Sequence, residues 1–228
     1  MCTVVARWDG QGEMRLLALR DELTSREFDD PAAWWPDLPD VVGGRDRLAG
    51  GTWCASRVGS GVTALVLNRP EKRVADAGAP SRGVLPLAGV RHGPAWRQHI
   101  DVHGMAGFTL VLAGPYRLTS WTFDGDHLTE TQHQPGTHMF TSGGAEDGKA
   151  DRYLPAFESA EYPAGWRAVV QAAPPADDPA ALVVRHQRDD LVFATVFGQL
   201  IEASARRLRV EYSREPWSND SWSTLALG

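Results

Sequence analysis

The sequence predicts an α+β protein built of sheet and helix layers. Runs of β-prone residues open the chain at 3–6 and 14–19 and close it at 191–197 and 208–212, while the helix-compatible stretches 150–160 and 165–173 fall between them. Strands grouped at both ends, with helices set inside, fit α+β layers better than alternating βαβ units. With 228 residues and 43% hydrophobic content, the chain can bury a core without staples, and one domain over 1–228 is expected.

The first two runs flank Asp9-Gly10-Gln11-Gly12, a turn signal that makes them a hairpin. Residues 29–42 hold three prolines (31, 36 and 39) beside Trp34 and Trp35, which predicts an ordered, aromatic-anchored loop and no helix. Residues 52–56 and 62–68 read as a second hairpin around Gly59-Ser60-Gly61, where glycine supplies the backbone angles of a tight turn. Ser81 is a plausible N-cap for a short segment through Leu85 and Leu87, and Pro86 is expected to limit it to about one helical turn. Residues 108–112, 116–123 and 127–131 form a meander whose turns are Gly114-Pro115 and Asp124-Gly125-Asp126. A glycine-rich stretch at 143–148 precedes the two helical segments, and a Pro/Asp-rich loop at 174–179 follows them. No repeat period or low-complexity tract occurs.

A net charge of -6 and a pI near 5.6 argue against duplex nucleic acid as a partner, because phosphate neutralisation needs a basic face. The longest apolar stretches are too short to span a bilayer. The N-terminus lacks the basic and apolar regions of a secretory signal, so a cytoplasmic location is expected. Two cysteines, Cys2 and Cys54, are too few for a disulfide framework or a cysteine-based zinc site, and both are expected as reduced thiols. Among seven histidines, His133 and His138 lie five apart across Pro135-Gly136 and no His-Glu-x-x-His spacing occurs, so neither a metal nor another cofactor is expected.

Cys2 is the most informative residue. Removal of Met1, which a small second residue permits, would put a thiol and a free α-amine on one residue. The amine has a reference pKa of about 7.7–8.0 and the thiol about 8.5, so the amine can act as base to its own thiol. The competing reading is a small buried hydrophobe at a strand start. Arg20-Asp21-Glu22 would emerge at the end of the strand that pairs with the one beginning at Cys2. A guanidinium and a carboxylate there can orient the amine and lower the thiol pKa; the alternative is a solvated ion pair in a turn.

The ordered series Met1-Cys2-Thr3, Leu19-Arg20-Asp21-Glu22 with Arg26, Gly44-Arg45-Asp46, Ala49-Gly50-Gly51-Thr52-Trp53, Asn68-Arg69 and Ser81-Arg82-Gly83 resembles the N-terminal half of the NRDE, or transport-and-Golgi-organisation, family. The resemblance implies an Ntn-hydrolase-like αββα sandwich of two mainly antiparallel sheets flanked by helices, with distant similarity to choloylglycine-hydrolase-like amidases. Carried over to this sequence, it implies Cys2 as nucleophile, Arg20 and Asp21 holding the amine and thiolate, and Asn68 as an oxyanion donor, where the bland reading is a strand-end asparagine capping its own turn. Arg45, Trp53 and Arg82 are the expected substrate-side residues, Arg45 and Trp53 chiefly by supporting the loop around the site. Leu19 stands where the family name has asparagine, and Gln199-Leu200 replace the threonine-arginine pair of a late family element around residues 196–199.

Two functions follow as expectations. The first is a cysteine Ntn-hydrolase acting on a small-molecule amide or other acyl bond. The second is a binding or trafficking protein that keeps the fold and carries a hydrophobic ligand, with haem or a lipid-like compound implied by the family association. No Cys-Pro or Cys-x-x-Cys-His haem signature is present.

Overall fold

The computed structural model describes residues 2–72, 74–143 and 148–227. Strand β1 (Thr3–Trp8) and strand β2 (Glu13–Leu23) form the opening hairpin. Its turn is held by the Asp9 carboxylate, which accepts from the backbone amides of Gln11, Gly12 and Glu13. Strands β3 (Phe28–Ala32) and β4 (Val41–Asp46) come next. The 29–42 segment is therefore strand at both ends and irregular between, and Pro31 is tolerated because β3 lies at a sheet edge, where a missing donor costs nothing. Strands β5 (Cys54–Arg57) and β6 (Val62–Asn68) form the second expected hairpin.

Ser81 Oγ accepts from the Gly83 amide and caps a 3-10 turn over Arg82–Val84. Helix α1 (Leu85–His92) follows directly. It runs longer than Pro86 led us to expect because Pro86 falls in the first turn, where its missing N–H has no intrahelical acceptor to lose. The meander is present as β7 (Phe108–Gly114), β8 (Arg117–Phe123) and β9 (Leu128–His133). An unanticipated β10 (Gly136–Thr141) then crosses to the other sheet and pairs with β1. Helices α2 (Lys149–Ser159) and α3 (Ala164–Gln171) match the expected helical segments. The chain closes with β11 (Arg185–Arg188), β12 (Leu191–Ser204), β13 (Leu208–Ser213) and β14 (Ser223–Thr224).

The strands make two antiparallel sheets. One has the order β10-β1-β2-β12-β13-β14, with β11 on the start of β12; the other runs β3-β4-β5-β6-β7-β8-β9. Alternation along β1 and β2 separates the layers. Val4, Ala6, Met14, Leu16 and Ala18 point between the sheets and meet Cys54, Leu65, Leu67, Val111 and Ala113. Val5, Leu17 and Leu19 point outward to Phe157, Trp166 and Val170 of α2 and α3. On the far side α1 covers the second sheet, placing Leu85, Ala88 and Val90 against Ala64, Val66, Leu110 and Leu112. The result is helix, sheet, sheet, helix, an αββα sandwich whose central layer is sealed by apolar side chains from both sheets. No helix among the described residues is long and apolar enough to cross a membrane.

Candidate active site

Cys2 lies immediately ahead of β1. The registers Thr3↔Leu19 and Thr3↔Thr141 put it, one step further, between Arg20 on β2 and Ser142 after β10. Ser142 grips its backbone: the Cys2 amide donates to Ser142 Oγ at 2.9 Å, and the Ser142 amide donates to the Cys2 carbonyl at 3.2 Å. The thiol is half-buried and stands 3.8 Å from the Asp21 carbonyl oxygen.

Arg20 and Asp21 are consecutive on a strand and so leave it on opposite faces. Asp21 points to the helix-facing side, where Thr195 Oγ1 donates to its carboxylate at 2.6 Å. A β-bulge makes this contact possible. Between Thr195 and Phe197 the register of β12 against β2 shifts by one, so Thr195 reaches Asp21 while Phe197 turns inward onto the rings of Phe28 and Trp53.

Arg20 enters the space between the sheets. Its guanidinium lies 4.4 Å from the Trp53 ring centroid and 4.9 Å from that of Phe28, and Nη2 is 3.4 Å from Asp46 Oδ2 and 3.6 Å from Glu22 Oε2. The side chain is only 5% exposed, yet Nη1 is buried without a hydrogen-bond partner. Asp46 is in turn held by Arg26 through two bonds, of 2.6 and 3.1 Å, and by the amides of Leu48 and Ala49. Burial pushes its carboxyl up, but the Arg26 bond and the Ala49 amide outweigh this and leave it below the usual carboxylate range.

The Gly50-Gly51-Thr52 run builds the opposite wall. Gly50 adopts φ +69°, a conformation glycine enters without a steric cost. A Cβ on Gly51 would stand 2.6 Å from the backbone of Gly83. That close approach lets the Thr52 amide donate to the Gly83 carbonyl at 2.9 Å and ties residues 81–83 to the site. Arg82 Nη1 donates to the Gly107 carbonyl at 2.8 Å, and this guanidinium has no carboxylate ion-pair partner among the described residues.

Together these segments line an open-sided cavity of about 150 Å³. Six of the seven anticipated residues line it: Cys2, Arg20, Asp21, Trp53, Asn68 and Arg82. Asn68 is exposed at the end of β6. Arg45 is the exception and does not line it. It binds Asp29 through Nε at 2.8 Å and Nη2 at 2.7 Å, with its guanidinium over Trp34. The reason is strand alternation: Asp46 faces the cavity, so its neighbour Arg45 faces away.

The thiol electrostatics also differ from expectation. Burial pushes the Cys2 thiol pKa up and the Asp21 charge pushes it further, outweighing the lowering contribution of Arg20. Deprotonation therefore needs a base at hand. Burial raises Cys54 to about 12, which leaves it inert within the inter-sheet core. Ser142 and Thr195 were not anticipated, and no local motif marks either. Arg26 belongs to the family-like series but had been given no role.

The family model for transport and Golgi organisation 2 matches residues 1–160. The chain belongs to that family. Against its pattern, Leu19 and Leu200 both lie in the core facing α2 and α3, and Gln199 is buried on β12; none of the three lines the cavity. These departures therefore lie outside the cavity lining of this family member. No curated protein matches it by sequence. Among solved structures it is similar to the C2A mutant of conjugated bile acid hydrolase from Clostridium perfringens, with TM-score 0.54 and 10% identity over 99% of this chain and 92% of that one. It is also similar to penicillin V acylase from Agrobacterium tumefaciens, with TM-score 0.50 and 13% identity over 94% and 83% of the two chains. These likenesses show the Ntn-hydrolase fold.

Proposed function

We propose that this protein is a cysteine N-terminal-nucleophile hydrolase that cleaves a non-peptide amide or related acyl bond. The observation that carries the reading is the placement of Cys2 at the cavity, with its backbone nitrogen on Ser142 and Arg20 and Asp21 on the neighbouring strand. Two proteins of the same fold are by description a conjugated bile acid hydrolase and a penicillin V acylase, and the first was studied with its own second-position cysteine replaced.

Once Met1 is removed, the nitrogen now bonded to Ser142 becomes the α-amine. It accepts the thiol proton, and the thiolate attacks the acyl carbon. Collapse of the tetrahedral adduct breaks the C–N bond, the leaving amine takes the proton, and a thioester remains on Cys2. Water, deprotonated by the same α-amine, then hydrolyses the thioester. A thiol whose pKa is raised by burial makes this internal base necessary. Asn68 at the cavity mouth is the candidate donor to the oxyanion.

An activated ester such as p-nitrophenyl acetate tests the reading. We expect a burst of p-nitrophenolate and an acetyl adduct on the Cys2 peptide, both absent from Cys2→Ala. A burst that survives in Cys2→Ala refutes it. The rival reading, a carrier of haem or a lipid-like ligand, draws on the aromatic cluster of Phe28, Trp53 and Phe197, of which Trp53 lines the cavity. It is less well supported, because the cavity is lined largely by charged and polar residues.

A further inference from the structure

We infer that the cavity beside Cys2 recognises a small carboxylate on the substrate, a few bonds from the scissile carbonyl, with Arg82 as the principal anion-binding residue and Arg20 Nη1 as the second donor. The inference rests on the proposed role of Cys2 and adds a substrate class to it.

Three guanidiniums, of Arg20, Arg26 and Arg82, line the cavity with the carboxylates of Glu22 and Asp46, while Asp21 contributes its backbone and turns its carboxylate to Thr195. The carboxylates are already engaged. Asp46 takes both bonds of Arg26 and two backbone amides, Glu22 accepts from the Leu23 amide and sits 3.6 Å from Arg20, and Asp21 accepts from Thr195. Arg26 is paired with Asp46 through the same two bonds.

What remains are donors. Arg20 Nη1 is buried with no acceptor, and a buried donor left unmade carries a desolvation cost that native structures seldom tolerate without reason. Arg82 is anchored by one bond to the Gly107 carbonyl and has no carboxylate partner among the described residues, although it lines the same space. Two guanidiniums with unfilled donor capacity, opening onto one cavity, suit a planar carboxylate. Neither arginine is mobile in the way a surface side chain is: Arg20 is stacked on Trp53 and Phe28, and Arg82 is tied to Gly107.

Size narrows the class. About 150 Å³ corresponds to roughly five water molecules at liquid density. A short carboxylate-bearing fragment fits this space, and a bulkier remainder of the substrate extends through its open side.

The test compares alkylation of Cys2 by iodoacetate with alkylation by its neutral isostere iodoacetamide, followed by the mass of the Cys2 peptide. A carboxylate site predicts saturable labelling by iodoacetate and an iodoacetate-to-iodoacetamide rate ratio about tenfold or more above that of Arg82→Gln, a factor equal to about 1.4 kcal/mol. A second measurement needs no variant. Acetate, and not acetamide, slows labelling of the wild-type protein by iodoacetamide. Equal ratios in wild type and variant, or no protection by acetate, with Cys2 still reactive to iodoacetamide, overturn the carboxylate inference alone. A Cys2 that reacts with neither reagent overturns the nucleophile reading as well.

Discussion

Thr195 donates a 2.6 Å hydrogen bond to the Asp21 carboxylate from across a bulge in β12, and both residues are buried. The same hydroxyl accepts from the Val184 amide, so one side chain joins the strand carrying Asp21 to the segment that follows α3. Thr195→Val removes both bonds while keeping the shape. We expect a loss of about 1–3 kcal/mol in stability, the usual cost of a buried polar group left unsatisfied, together with slower labelling of Cys2. Thr195→Ser restores both. Urea denaturation and alkylation rates measure the two effects.

Charge substitutions beside Cys2 move its titration in opposite directions. Burial and then Asp21 raise the thiol pKa, and Arg20 lowers it. Asp21→Asn therefore shifts the pH midpoint of Cys2 alkylation down, and Arg20→Gln shifts it up. A pH profile of alkylation rate, read on the Cys2 peptide, checks both signs.

Much of this arrangement was legible before any coordinates. Two β-prone apolar runs flanking the Asp9-Gly10-Gln11-Gly12 turn signal revealed the β1–β2 hairpin, and that hairpin alone brings Cys2 beside Arg20 and Asp21. The Ala-Gly-Gly-Thr-Trp and Ser-Arg-Gly pieces marked the opposite wall, although only the structure shows that Gly51 and Gly83 touch. Arg45 was placed near the site by the family resemblance alone, and the strand alternation that turns it away from the cavity needs β4, which was not read there. Ser142 and Thr195 lie 140 and 174 positions from their partners and depend on sheet order, which a single sequence does not disclose. Strand β10 escaped notice because its residues, Gly-Thr-His-Met-Phe-Thr, carry no clear period, and its partner is β1, at the far end of the chain.

The glycine wall makes separable predictions. Gly51→Ala forces a Cβ against the Gly83 backbone, where neither segment can yield cheaply, and costs about 1–3 kcal/mol as overpacking does. Gly50→Ala meets no neighbouring atom but holds φ +69°, and costs about 1–2 kcal/mol through backbone strain alone. Urea unfolding should find both destabilised, with slower Cys2 labelling only in Gly51→Ala, because only that change displaces residues 81–83.

Asp46 gives the fold an acid-sensitive point. Its folded-state pKa is depressed below the unfolded value of about 3.9. The associated stability is therefore fully present above that value and is lost as pH falls through the lower folded-state pKa. Asp46→Asn starts less stable at pH 7 and shows a flatter loss below about pH 4 than wild type. Thermal unfolding across pH 2.5–6 compares the two curves.

The most direct test of the central claim is the intact mass of the purified protein before and after brief alkylation at neutral pH, with Cys2→Ala alongside. The N-terminal-nucleophile account predicts that Met1 is absent and that a single alkyl group is added, at Cys2, with Cys54 untouched in the folded protein. Retention of Met1, or a Cys2 no more reactive than buried Cys54, would contradict it, because the α-amine would then sit on the wrong residue and the thiol would have no base.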